Sequence, residues 1–118
     1  MRPSLGRVSW LLRDGEVLAS LEVAATRSAR RRGLLGRDGI EGALLLEPAR
    51  SVHTFGMRFP IDVIWCDREL TVLRTATVRP NRLTRAVARA HAVIEAEAGA
   101  VARWGLRVGD QLERRDAR

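Results

Sequence analysis

Hydrophobic and polar positions alternate along the first quarter of the chain. Val8, Trp10 and Leu12 take one phase, and Asp14-Gly15 then supplies two residues that tolerate positive φ in a tight turn. On the return, Val17, Ala19, Leu21 and Val23 share a face while Ser20 and Glu22 share the other. This pattern predicts a β-hairpin. Thr26 then caps a short helix expected to run to about Leu35, with Gly33 and Gly36 ending it. Asp38-Gly39 and Glu41-Gly42 read as loop, and Ala43 to Leu46 as an apolar strand stopped by Pro48.

Further on, strands are expected at Val52 to Met57 and Ile61 to Cys66, around a Phe59-Pro60 corner. Threonine and valine mark another strand from Leu70 to Val78, and Pro80-Asn81 opens a basic loop. From Leu83 to Val101 the pattern is ambiguous, because alanine and glutamate favour helix while Ala92, Ile94 and Ala96 alternate. Gly105 ends a brief helix over Ala100 to Trp104, and Val108-Gly109-Asp110 turns into a terminal strand. The expected fold is mainly β: one small domain over residues 1–118, a closed or sandwiched, barrel-like architecture with one or two short helices.

Composition narrows the chemistry. The net charge is +7, and all 21 basic residues are arginine. The absence of lysine points to codon bias more than to an evolved phosphate surface, since generic phosphate contacts accept either residue. No run approaches the ~18 apolar residues that cross a bilayer. No apolar leader core follows the N-terminus, so the expected compartment is the cytoplasm and no membrane partner is expected. Cys66 is the single cysteine, which excludes an intramolecular disulfide and a cysteine-built metal site. No phosphate loop, dinucleotide fingerprint or serine-hydrolase elbow is present, and the sequence names no cofactor.

Asp62 is the most informative polar residue. It interrupts an apolar strand, sharing a face with Ile64 and Cys66, and a carboxylate there requires donors. The structural reading is an ion pair, with Arg32 and Arg37 the expected partners, or a carboxylate bonded to backbone N–H groups; with unmet bonding capacity Asp62 would be a site residue instead. His53 follows, on one strand face with Phe55 and Met57. A structural histidine is the plainer reading, and no metal-ligand spacing surrounds it.

Four blocks together resemble the domain-of-unknown-function 192 family. They are Ala25-Thr26 with Arg32-Gly33-Leu34-Leu35-Gly36-Arg37; Gly42 to Leu45; Phe59 to Trp65; and Val93-Ile94-Glu95-Ala96 with Gly99, closing on Gly105 and Val108-Gly109-Asp110. The likeness covers roughly residues 20–113. One segment departs from it. Before Pro60 the commoner family pattern carries tryptophan, lysine and asparagine, whereas here Val52 to Met57 has His53 in the tryptophan's place. The resemblance implies a mostly β fold and a strand at about Ala92 to Glu97. It implies no reaction, and it marks Arg32, Arg37, Asp62, Glu95 and Asp110 as the polar residues to examine.

Three functions compete on this reading. The first is a non-catalytic or ligand-binding module with a shallow pocket near His53, Arg58 and Asp62, taking a small molecule. The second is a small enzyme using Asp62 and His53 as an acid–base pair, which requires them within hydrogen-bond reach or bridged by one water. The third is a nucleic-acid-binding protein using Arg27, Arg30, Arg31, Arg32 and Arg37, whose affinity would fall steeply with salt.

Overall fold

The computed structural model describes residues 9–116. The chain begins with β1 (Ser9–Arg13) and β2 (Glu16–Ala24), joined through Asp14-Gly15 with φ of 53° and 79° as the turn requires. Val8 lies outside the described residues. A bulge between Leu11 and Leu12 lets both side chains be buried, so the simple alternation through Trp10 and Leu12 is broken and Trp10 stays about one-third exposed, at 36%.

Helix α1 (Arg27–Arg32) is capped by the Thr26 hydroxyl, which accepts from the amide of Ala29, and it ends at Gly33 with φ of 49°. It stops short of the expected Leu35. No L side chain sits easily at that φ, so the turn closes there. The remaining elements are β3 (Ala43–Leu46), β4 (Ile61–Cys66), β5 (Val72–Val78), β6 (Ala92–Glu97), α2 (Ala100–Trp104) and β7 (Leu112–Asp116). The ambiguous 83–101 segment thus contains a strand.

All seven strands form one sheet in the order β5-β4-β6-β3-β2-β1-β7. Every pair is antiparallel except β2–β3, which runs parallel and takes its crossover through α1. The fold is mainly β, as expected, with two short helices; the sheet does not close into a barrel, so barrel-like describes it only loosely. Its edge strands β5 and β7 meet only at one end, through the Thr71–Gln111 bridge and the bonds around Val72 and Asp110. A curled sheet with its edges pinned at one corner results. β3, β4 and β6 lie towards the centre and are buried along nearly their whole length, as their largely apolar runs require, with Asp62 and Glu95 the acids buried within β4 and β6.

Two cores flank the sheet. Leu11, Leu21, Leu45, Ile64, Cys66, Ile94 and Ala96 fill one with α2 packed against it. Leu44, Leu46, Ile61, Val63, Trp65 and Val93 face the other, where Leu34, Val52 and Met57 cover them. Burial pushes the Cys66 thiol up to about 12, with Asp67 adding to the shift, so it is an inert hydrophobe.

Val52 to Met57 does not form the expected strand. Its backbone turns at Thr54, whose carbonyl accepts from the amide of Met57 at 3.1 Å, and Gly56 takes φ of 77°. Only His53 keeps a β-bridge, to Leu83. The buried Thr54 hydroxyl donates to Arg79 O at 2.7 Å and accepts from the Arg82 amide at 2.9 Å. Trp65 Nε1 donates to Arg50 O at 2.9 Å. These bonds clamp the 48–57 segment over the second core.

Gly42 explains why β2 and β3 can lie side by side. Its φ is 73°, and a Cβ built there would stand 2.6 Å from the carbonyl oxygen of Ser20. Gly42→Ala is therefore expected to destabilise the fold by about 3 kcal/mol, from left-handed strain and backbone overlap together. Urea denaturation checks this; a change below about 0.5 kcal/mol would contradict the close approach.

Candidate functional site

The polar residues singled out in the sequence fall into separate places. Asp62 lies on the α2 face of the sheet and is 3% exposed. Its Oδ1 accepts from the Thr77 hydroxyl at 2.7 Å, and its Oδ2 accepts from the amides of Gly99 at 3.1 Å and Val101 at 3.0 Å. The donors come from β5 and the start of α2, not from Arg32 or Arg37. Asp62 is thereby the anchor that ties α2 to the sheet.

Asp110 has a similar local part. Its Oδ2 takes the Arg107 amide at 2.9 Å and the Arg13 guanidinium at 3.2 Å, closing the turn before β7. Arg58 reaches Asp38 at 2.7 Å on the exposed surface. Arg37 makes a bidentate pair with Glu22 at 2.9 and 3.0 Å. That hydrogen-bonded partner holds Glu22 below the usual carboxylate range, against the opposing effect of its partial burial.

Glu95 stands apart. It lies on β6 opposite Leu44 of β3 and Val63 of β4, so its side chain rises on the face away from Asp62. It is 3% exposed, and its Oε1 is buried with no hydrogen-bond partner. Burial pushes the carboxyl up to about 7, while the charge of Arg37 pulls weakly the other way. The acid form therefore persists to higher pH than in an ordinary carboxyl.

A cleft of about 300 Å³ opens beside this carboxyl. Gly33 forms part of its wall; a Cβ there would sit 3.7 Å from Glu95 Oε1, at ordinary contact distance, so the backbone of residue 33 lies directly against the carboxyl. Leu34, Leu46, Val52 and Met57 supply apolar lining. Arg31, Arg32, His53 and Phe55 are exposed and stand at the mouth. His53 and Phe55 stack on each other with ring centroids 5.4 Å apart.

The structure therefore brings together three of the singled-out residues, Arg32, His53 and Glu95, and leaves Arg37, Arg58, Asp62 and Asp110 elsewhere. Asp62 and His53 are on opposite faces of the sheet and form no acid–base pair. Gly33 shows in the sequence only as a helix end and Glu95 only through the family resemblance, not as the wall and centre of a cleft. A signal for Glu95 existed: like Asp62, it is an acid inside an apolar run that the strand order buries on both faces.

The basic residues are also divided. Arg30 turns inward and donates to the carbonyls of Ala25 and Glu47, while Arg37 is taken by Glu22. A second groove is lined by Arg74, Arg79, Arg82 and Arg85 with no acidic neighbour in its lining; Arg74 lies over the Trp65 ring at 5.8 Å. Among the described residues, no group of three or more His, Cys, Asp and Glu side chains is placed to hold a metal ion. Nor, among them, is any helix long and apolar enough to cross a membrane.

The chain is a small β-rich domain, a curled seven-stranded sheet with a clamped loop segment over a buried glutamate. The chain belongs to the DUF192 family, described as uncharacterized ACR, COG1430, whose model matches residues 10–114. No curated protein matches it. Two crystal structures share the fold. One is a "putative transcription regulator" from Sinorhizobium meliloti 1021, with 21% identity, a TM-score of 0.74, and coverage of 91% of this chain and 92% of that one. The other is a protein of unknown function from Novosphingobium aromaticivorans DSM 12444, with 20% identity, a TM-score of 0.74, and coverage of 96% and 90%.

Proposed function

We propose that the domain is a non-catalytic, cytoplasmic module that binds a small molecule in the cleft over Glu95. The observation that carries this reading is the buried Oε1 without a partner. A buried polar atom left without a partner in a well-packed interior costs roughly 1–3 kcal/mol, and folds tolerate such a cost where a ligand supplies the missing bond, as donor to the ionised carboxyl or as acceptor from its acid form. The cleft supports the reading through its make-up, apolar walls with a few convergent polar groups, which is the common composition of ligand sites. A single buried cysteine suits a reducing compartment.

The test is a calorimetric and melting-shift screen of metabolites against the wild-type chain and Glu95→Met. A ligand of the cleft raises the melting point of the wild type and leaves the variant unmoved. Hits that stabilise both proteins equally would place binding elsewhere and overturn the reading.

A further inference from the structure

The charge around the cleft is as telling as the carboxyl within it. Arg31 and Arg32 stand exposed at the mouth, and neither has an acidic partner among the described residues. Arg30 shares the wall, His53 faces in from the 48–57 segment, and Arg37 acts on Glu95 through space. From the sheet, the cross-strand neighbours are the apolar Leu44 and Val63. Glu95 is thus the only acidic group in the cleft's lining. A cationic ligand would meet repulsion at the entrance. A neutral one would leave the guanidinium groups unused.

We propose that the cleft takes a small carboxylate with an apolar body, its charge held by Arg31 and Arg32 and one oxygen accepting a hydrogen bond from the acid form of Glu95. This deepens the reading above and rests on it. The apolar body would lie against Leu34, Leu46, Val52 and Met57. Ionised Glu95 would repel such a ligand, so binding is coupled to retention or uptake of one proton at Glu95. Affinity then falls about tenfold for each pH unit above the titration of the carboxyl. The cluster is a proton-linked acid receptor.

The probes are matched pairs, benzoate with benzamide and isobutyrate with isobutyramide, titrated into the full chain and followed by amide NMR shifts at Gly33, His53 and Met57. The acids are expected to bind at about pH 6 and to weaken more than tenfold by about pH 8.5, with the amides at least tenfold weaker at the lower pH. In Arg31→Gln/Arg32→Gln the preference for the acid over its amide disappears. Glu95→Gln retains a donor but cannot ionise, so it keeps acid binding and loses the pH dependence. Persistence of that dependence in Glu95→Gln would place the titrating group elsewhere and overturn the inference. Equal or stronger binding of the amides would overturn it too, while leaving the cleft as a ligand site. Failure of every probe to shift the cleft resonances would overturn both readings.

Discussion

Replacing Asp62 by alanine is expected to destabilise the domain by about 3–5 kcal/mol, the largest loss from any single polar residue here. Three donors lose their acceptor at once: the Thr77 hydroxyl and the amides of Gly99 and Val101. The two amides belong to the start of α2, where Gly99 takes φ of 100° and makes no side-chain cap of its own. Asp62 therefore substitutes for the absent cap from across the sheet. Its removal frees a helix that packs Ala100, Val101 and Trp104 against the first core. Asp62→Asn keeps one good acceptor and is expected to cost about half as much. Urea denaturation measures both, and a loss below about 1 kcal/mol for the alanine variant would contradict this role.

The second large effect has the opposite sign. Glu95→Met is expected to stabilise the protein by about 3 kcal/mol at mildly alkaline pH, because a thioether of similar length fills the site without an unmet acceptor or a buried charge. The effect is pH-dependent, and its direction follows from the raised pKa. Between the unfolded value near 4.5 and the folded value near 7, the native state holds more protons at Glu95 than the unfolded chain does. Wild-type stability therefore falls as pH rises through that window and levels off above it. The whole drop is about 3 kcal/mol. Glu95→Met removes it, so the two stability curves converge towards acid and diverge towards alkali. Glu22 acts in a different range: its lowered pKa gives stability that is lost as pH falls through its folded value. A stabilised variant that no longer binds would mark Glu95 as a group kept for function at the expense of stability.

Local chemistry carried much of the fold in the sequence. Asp14-Gly15 announced its turn, Thr26 its cap, and Gly33 and Gly105 their helix ends, because each depends on backbone rules that act within a few residues. Sheet closure was not legible. Whether β5 and β7 pair along their length or touch at Thr71–Gln111 depends on curvature accumulated over seven strands. The 48–57 segment misled for a related reason. Its alternation resembles a strand, but Thr54 turns inward to meet the carbonyl of Arg79 and the amide of Arg82, partners some 25 and 28 residues away.

The two buried acids make the same point about the site. Both stand in apolar runs, although only Asp62 reads from the sequence as a carboxylate in need of donors, Glu95 being marked by the family resemblance alone. Asp62 finds its donors 15, 37 and 39 residues further along the chain, whereas Glu95 Oε1 finds none. Nothing in the neighbouring residues distinguishes the two cases. The difference lies in which face of the sheet receives α2 and which receives a loop segment with a glycine at the critical place.

Carboxyl-carbon NMR titration of Glu95 in the ligand-free chain is the sharpest check on all of this. A buried oxygen that no protein group serves predicts a midpoint near 7. A midpoint at or below the ordinary 4.5 would mean that the side chain already has donors, and the cleft would lose its reason to hold a guest.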